Sequence, residues 1–139
     1  MVVTVKATDV MDRDVIFLDA STSVLDTVKK MTEKNSWSVV VQRQNLPEGV
    51  VTDRDVLRRC INKGFLPEKM KVEEIMSSPI VTIGPDTTAG EMMEKMVSSS
   101  IRRLFVVENG KIIGKVTQTN LFQNSLNLML TLSSMRHQL

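Results

Sequence analysis

The segment "GVVTDRD", residues 49–55, ends an apolar run in a hydroxyl, followed by two carboxylates on either side of a guanidinium. Thr52 and Asp55 stand three positions apart, so they can form a capping box for a helix that begins at Asp53. The same groups can hold a ligand, because an ionised Asp55 accepts two hydrogen bonds from a cis-diol and Arg54 is a bidentate donor to phosphate. A helix start also favours an anion through its unpaired N–H groups. The residues alone leave both roles open.

The chain repeats itself at an offset of 65 residues without a gap. Met11 and Met76 close the similar pentapeptides "ATDVM" and "VEEIM". The same offset pairs Gly49 with Gly114 and "TDRD" with "TQTN", residues 117–120. Chance matches would not hold one register through both helical and strand-like segments, so the sequence indicates an internal duplication.

Each half predicts the same order of elements, β-α-β-β-α. A short apolar stretch ("VIFL" or "IVTI") precedes a helix start, marked by Ser23 with Asp26 and by Thr88 with Glu91. Two β-rich runs follow, joined in the second half by an Asn-Gly turn signal in "ENGK". A half of this size cannot bury both faces of its sheet. We therefore predict a mixed α+β fold in which two repeats, related by a pseudo-twofold axis, pack sheet to sheet with helices outside, leaving one cleft per half.

Twin halves that each end in Gly-apolar-apolar-Thr/Ser-x-x-Asp resemble a pair of CBS domains, a tandem also called a Bateman module. "GVVTDRD" fits that motif in full and "GKVTQTN" fits it in part. The resemblance places repeat 1 at 7–61, a linker at 62–71, repeat 2 at 72–127 and a tail that extends the last helix at 128–139. The motif is short, but its recurrence at constant spacing in the expected element order makes the resemblance specific.

The resemblance implies that an adenosine nucleotide, or a related adenosyl ligand, occupies the first cleft. Asp55 would then bind the ribose, Thr52 the sugar or phosphate, and Arg54 the phosphate. An apolar slot would hold the base, and Trp37 is either a stacking partner or core filler at the sheet edge. The residues assigned to the first cleft are Thr52, Arg54, Asp55, Trp37, Ser38, Pro79 and Ile80.

The second cleft departs from the family pattern. Asn120 replaces the aspartate and offers one neutral carbonyl acceptor, so it holds a diol less strongly. Arg102 and Arg103 replace Trp37 and Ser38, which indicates either a weaker site or one tuned to more phosphate. The alternative is a decayed site with surface arginines. The residues assigned to the second cleft are Thr117, Thr119, Asn120, Arg102, Arg103, Val15 and Ile16.

Composition narrows the function classes. The 139 residues include 18 basic and 16 acidic side chains, a formal charge of +2, which argues against nucleic-acid or membrane binding. The one cysteine, Cys60, cannot form an internal disulfide, and the chain lacks a signal-like apolar start, so we expect a cytoplasmic protein. The sequence shows no phosphate-binding loop, zinc pattern or nucleophile with a base. We expect no enzyme, catalytic cofactor or metal site, with Mg²⁺ only as an optional companion of a bound nucleotide.

The C-terminal tail is more apolar than a last helix of a small module needs. Its alternating leucines also permit a strand. Exposed apolar surface of this kind indicates a partner, and the resemblance favours a homodimer through the helices. Two functions stay open: a regulatory module that senses adenosine nucleotides, and a constitutive assembly protein with vestigial clefts that docks an enzyme or transporter. In the C-terminal stretch 120–139, which includes the tail, these apolar residues are Leu121, Phe122, Leu126, Met129, Leu130 and Leu132.

Overall fold

The computed structural model describes residues 4–136. The predicted β-α-β-β-α order is present twice, together with a short N-terminal helix, a π-helical turn after α3 and two short 3₁₀ turns. The elements of the first repeat are α1 (Ala7–Val10), β1 (Phe17–Asp19), α2 (Val24–Lys34), β2 (Ser38–Arg43), β3 (Leu46–Thr52), α3 (Asp53–Val56) and the π-helical turn (Leu57–Ile61). One 3₁₀ turn (Pro67–Lys69) lies in the linker. The second repeat begins with the other 3₁₀ turn (Val72–Glu74), followed by β4 (Thr82–Ile83), α4 (Ala89–Ser99), β5 (Arg103–Glu108), β6 (Lys111–Thr117) and α5 (Gln118–Arg136).

Each repeat forms a three-stranded mixed sheet. In the first, β1 pairs parallel with β2, and β2 pairs antiparallel with β3. In the second, β4, β5 and β6 repeat this arrangement. The α+β prediction is therefore confirmed, and the shared register places equivalent residues of the two repeats at equivalent positions of the two sheets.

The predicted helix starts and turn are present. Ser23 caps α2 by accepting a hydrogen bond from the Asp26 N–H (3.0 Å), and Thr88 and Glu91 form a capping box on α4. Asn109 adopts the left-handed conformation that an Asn-Gly hairpin turn requires. The first repeat has no Asn-Gly turn signal. There, two non-glycine residues, 44 and 45, take the same left-handed conformation, and β3 begins earlier than the "EGVVT" run predicts.

The chain divides into two compact units whose boundaries differ from those of the repeats. The first unit is residues 15–80, and the second combines 4–14 with 81–136 among the described residues. Each unit thus contains the segment that precedes the other repeat's first strand. In the first unit, Ser77 pairs with Val50 of β3; in the second, Asp12 pairs with Lys115 of β6. The predicted linker, 62–71, belongs to the first unit.

Two glycines of the repeated motif permit these pairings. A Cβ on Gly49 would stand 2.7 Å from the carbonyl oxygen of Ser77 and 2.8 Å from the Met76 sulfur. A Cβ on Gly114 would stand 2.7 Å from the Met11 sulfur. We call residues 75–80 and 11–14, which run against β3 and β6, the crossing segments. The glycine that opens each "GVVTDRD"-type motif is required by the close approach of its crossing segment.

Each sheet packs one face on its own apolar core. Val39, Val41 and Val51 pack with Val24 and Met31 of α2 in the first unit. The corresponding face in the second unit carries Leu104, Val106 and Val116. Because side chains alternate along a strand, the neighbouring residues of β2, β3, β5 and β6 lie on the opposite face of each sheet.

The predicted tail continues α5 as a helix to Arg136, so residues 118–136 do not form a strand. Residues 137–139 of that tail lie outside the described residues. Many of its apolar side chains are exposed, Phe122, Leu130 and Leu132 among them. Over the described range 4–136, no helix combines the length and apolar character that a membrane span requires.

Candidate functional site

Thr52 and Asp55 form the capping box at the start of α3. The Asp55 Oδ2 accepts hydrogen bonds from the Thr52 N–H (2.9 Å) and from the Thr52 hydroxyl (3.2 Å). The Thr52 Oγ1 also accepts the Asp55 N–H at 3.4 Å. The Asp55 side chain is 16% exposed, and its Oδ1 lies 3.9 Å from the Arg59 Nε. Thr52 therefore uses one carboxylate oxygen, and Oδ1 is the oxygen with acceptor capacity left for a ligand.

The first-turn N–H groups of α3 are already paired within the chain. The Asp53 N–H donates to the Trp37 carbonyl (3.2 Å), and the Arg54 N–H donates to the Asp53 carboxylate (2.9 Å). With the Asp55 N–H on Thr52, the expectation of unpaired donors for a phosphate is wrong here. The motif's own side chains cap the helix, so a phosphate would have to be bound by side chains instead.

Ser38 contributes a buried polar atom beside this cap. It begins β2 directly opposite Thr52 in the antiparallel register, so the two side chains share a sheet face. The residue is 2% exposed, and its Oγ is buried without a hydrogen-bond partner in the described part of the chain. Leaving a buried hydroxyl unsatisfied costs about 1–3 kcal/mol, so such groups usually have a partner.

The other residues predicted for the first cleft lie in the same unit, with differing exposure. Trp37, at 44% exposed, is not core filler, and the Arg54 side chain is also exposed. Pro79 is exposed and Ile80 half-buried. The antiparallel Val50–Ser77 bridge directs the chain after Ser77 toward the start of β3, away from Thr52. The predicted contact of Pro79 and Ile80 with a base stays a prediction.

Arg59 is a residue that the sequence reasoning missed. Its guanidinium donates to the carbonyls of Ile75 (2.9 Å) and Met76 (3.1 Å) while its Nε faces Asp55. Arg59 thus joins the helix after the motif to the crossing segment. Its position four residues after Asp55 on a helix was a usable signal, because that spacing places the two side chains on one face.

The second motif repeats the cap with an amide. The Thr117 N–H donates to the Asn120 Oδ1 (2.9 Å), and the Asn120 N–H donates to the Thr117 Oγ1 (3.0 Å). The Gln118 N–H donates to the Arg102 carbonyl (2.9 Å), as the Asp53 N–H does to Trp37 in the first unit. Asn120 therefore preserves the helix cap and gives up the negative charge.

The remaining residues predicted for the second cleft fall in both units. Arg102 and Thr119 are exposed and Arg103 is half-buried, all in the second unit. Val15 and Ile16 belong to the first unit, where Ile16 packs in the apolar core. The role predicted for these two as an apolar wall stays a prediction.

A small cavity of about 190 Å³ in the second unit involves Asn120. It is smaller than the roughly 300–1,000 Å³ of typical ligand pockets, so it cannot by itself enclose a nucleotide. Its lining is mostly polar, with Asp9, Val10, Asn120, Gln123, Asn124 and Asn127 around it.

Lys115 is the second residue that sequence reasoning missed. It lies on β6 in the register pair with Phe105, and it is only 5% exposed. Burial lowers the pKa of its ammonium group; Arg103 lowers it further, and Asp12 and Asp14 oppose the shift. No sequence pattern indicated a buried cation, because lysine is normally a surface residue.

Comparisons with known proteins agree with this architecture. The model of the CBS domain matches the chain twice, at residues 7–62 and 72–127. An uncharacterized protein of Methanopyrus kandleri is 34% identical over 126 residues, covering 89% of this chain and 64% of that protein. A second archaeal relative, from Methanocaldococcus jannaschii, is covered over 66% of its length. The chain thus spans slightly less than two thirds of these curated relatives.

Solved structures show the same fold. An uncharacterized conserved protein from Pyrococcus horikoshii superposes with a TM-score of 0.83 at 29% identity, covering 90% of this chain and 95% of that one. A hexameric CBS-CP12 protein from bloom-forming cyanobacteria gives a TM-score of 0.82 at 26% identity, covering 88% and 73%. CBS pairs are generally regulatory, non-catalytic modules. With both motif copies matched and the fold shared, the chain belongs to the CBS-domain family as a tandem pair.

Proposed function

We propose that the chain is a regulatory module that binds an adenosine nucleotide or a related adenosyl ligand at the Thr52–Asp55 site and changes a partner contact in response. Ligand binding can do so only through different affinities for two arrangements of the protein. The observation that carries the proposal is the buried Ser38 Oγ next to the Asp55 cap, which has no hydrogen-bond partner within residues 4–136. A ligand hydroxyl would satisfy it.

The chemistry around Ser38 suits a ribose more than a simple anion. The Asp55 Oδ1 can accept hydrogen bonds from ligand hydroxyls, and Ser38 Oγ can donate or accept. Asp55 would repel a phosphate placed directly against it, so the phosphates would lie toward the exposed Arg54. Trp37, exposed at the head of β2, offers a stacking surface for a base.

The test is a thermal-shift series, followed by calorimetry, with AMP, ADP, ATP, NAD and S-adenosylmethionine. We expect at least one to raise the melting temperature, and Asp55→Asn to abolish most of the rise that AMP produces. Asparagine is the matched replacement, because Asn120 forms the same cap in the second repeat. A loss of binding in Asp55→Asn therefore reports the carboxylate and not the helix. No shift with any compound at millimolar concentration would refute the proposal.

The second candidate is a constitutive assembly protein with vestigial sites. The loss of the carboxylate at Asn120 and the internally paired N–H groups of α3 favour it. It predicts that the protein binds none of the five compounds and still forms its oligomer.

We also propose that the module acts as a homodimer through the last helix of each repeat. Exposed apolar residues recur there at the repeat offset: Leu57 and Ile61 in the first unit, Phe122 and Leu126 in the second. Two matching apolar stripes suit the same surface on a second copy. The hexameric CBS-CP12 neighbour supports assembly among proteins of this fold.

A further inference from the structure

The second repeat carries cations at positions where the first repeat is neutral. At the offset of 65 residues, Arg102 corresponds to Trp37, Arg103 to Ser38 and Lys115 to Val50. Arg103 lies opposite Thr117 in the β5–β6 register, and Lys115 is two residues before Thr117 on the same strand. Arg103, Lys115 and Thr117 therefore share one face of the sheet.

The first repeat serves as an internal control for the structural role of Lys115. Val50 forms an antiparallel bridge to Ser77 of its crossing segment, and Lys115 forms the equivalent bridge to Asp12. Valine thus fulfils the backbone requirement in an otherwise equivalent sheet. Lysine at 5% exposure carries a desolvation cost that valine does not, so strand pairing alone does not explain it.

The charges around Lys115 are mixed. Arg103 disfavours the charged form of Lys115, while the negative charges of Asp12 and Asp14 on the crossing segment favour it. Asn120 in place of Asp55 removes a carboxylate that would repel phosphate, and Thr119 in place of Arg54 removes a cation. Asp12 and Asp14 stabilise the buried ammonium group of Lys115. Arg102 and Arg103, together with the neutral Asn120, make the end of the sheet next to the motif more favourable for an anion.

We propose that Lys115 and Arg103 recognise the phosphate groups of a polyphosphate nucleotide, making the second repeat's site selective for di- and triphosphates. The first site would take ligands with fewer phosphates. This inference rests on the proposed nucleotide binding and names the residues that set its specificity. Arginine supplies a bidentate donor and lysine a point charge, the pairing that phosphate groups favour.

The experiment exchanges the two repeats' residues. Calorimetry would measure AMP, ATP and inorganic tripolyphosphate on the wild type, Lys115→Val and the reciprocal Val50→Lys. We expect Lys115→Val to weaken ATP and tripolyphosphate binding about tenfold while AMP binding changes little. Val50→Lys should raise ATP affinity relative to AMP at the first site. Lys115→Met keeps the aliphatic stem and serves as the second variant if Lys115→Val does not fold.

The outcomes separate the two proposals. An unchanged ATP-to-AMP affinity ratio in both Lys115→Val and Lys115→Met would overturn the specificity assignment while leaving nucleotide binding intact. If no adenosine compound binds but tripolyphosphate still binds in a Lys115-dependent way, the adenosine proposal fails and the anion site stands. If neither class of compound binds the wild type, both fail.

Discussion

At the scale of single residues, the two motifs show how one cap can serve two chemistries. Aspartate and asparagine both satisfy the Thr N–H at 2.9 Å, so helix capping does not decide between them. The difference is charge: Asp55 retains an oxygen that can accept from a diol, and Asn120 does not repel phosphate. The duplicated chain therefore offers each site as the control for the other.

Ser38→Ala should have opposite effects on stability and binding. The Ser38 hydroxyl is buried and has no partner among the described residues, so its removal should leave the ligand-free melting temperature unchanged or higher. The same change should weaken adenosine-ligand affinity by roughly five- to tenfold, the worth of one hydrogen bond. Thermal denaturation without ligand and calorimetry with ligand measure the two effects. Lower ligand-free stability with unchanged affinity would show that Ser38 is only structural.

Because of Lys115, the free energy of unfolding should change with pH in the alkaline range. Its pKa lies below the ordinary 10.5, chiefly through burial, so the unfolded chain binds more protons between the lowered pKa and 10.5. Unfolding free energy attributable to Lys115 therefore rises with pH through that window. Burial raises the pKa of Cys60 above 9.0, which acts in the opposite direction in the same range.

Lys115→Met isolates the lysine, since Cys60 is common to both proteins. We expect the variant to be more stable than wild type at pH 8, with the difference shrinking as the pH approaches 10.5. Urea denaturation at four pH values between 8 and 10.5 would measure it. A constant difference across that range would mean that Lys115 titrates normally.

At the scale of elements, the crossing segments organise each sheet. Gly49 and Gly114 permit residues 76–78 and 11–12 to run against β3 and β6. Arg59 then fixes the first crossing segment through the carbonyls of Ile75 and Met76. The motif glycine is therefore part of the packing, whereas the Thr and Asp of the same motif form the cap.

Gly49→Ala should destabilise the protein by about 2 kcal/mol or more, because its Cβ would meet a backbone carbonyl oxygen at 2.7 Å. Gly90→Ala, in α4 with nothing within 4 Å of the added Cβ, is the matched control. It should leave the free energy of unfolding unchanged or raise it by up to about 0.5 kcal/mol, because Gly90 lies in the first turn of α4 and the full helix-propensity gain applies to a helix interior. Urea unfolding of both variants gives the comparison. Equal stabilities would contradict the close approach at Gly49.

Local sequence signals predicted the elements well and their partners poorly. The helix starts were predicted from Ser23 and Thr88, and the hairpin from Asn109-Gly110, because each of these signals acts on its immediate neighbours. The crossing segments depend on contacts between residues far apart, such as Val50 with Ser77, which no local pattern encodes. The burial of Lys115 escaped prediction for the same reason.

At the scale of the whole molecule, the proposed dimer can be tested by placing a charged side chain in its apolar contact. Leu130, 60% exposed on α5, can be changed to glutamate with little effect on its own fold. We expect Leu130→Glu to shift the protein toward monomer in sedimentation velocity, because it places a charge in an apolar contact. Thr131→Glu adds the same charge on the exposed side of that helix that faces away from Phe122, and it should leave the dimer intact. A wild-type monomer at micromolar concentrations would refute the dimer.

The exchange of leading segments determines how the molecule can be dissected. A cut in the stretch 62–71, where the duplication suggests a seam, would deprive the first unit of residues 72–80 and leave residues 4–14 attached to the wrong fragment. The fragment that retains its own sheet partners is 15–80, which begins and ends inside the two family matches. Its complement, residues 4–14 and 81–136, is discontinuous and needs a new covalent connection between its two pieces to be made as one chain.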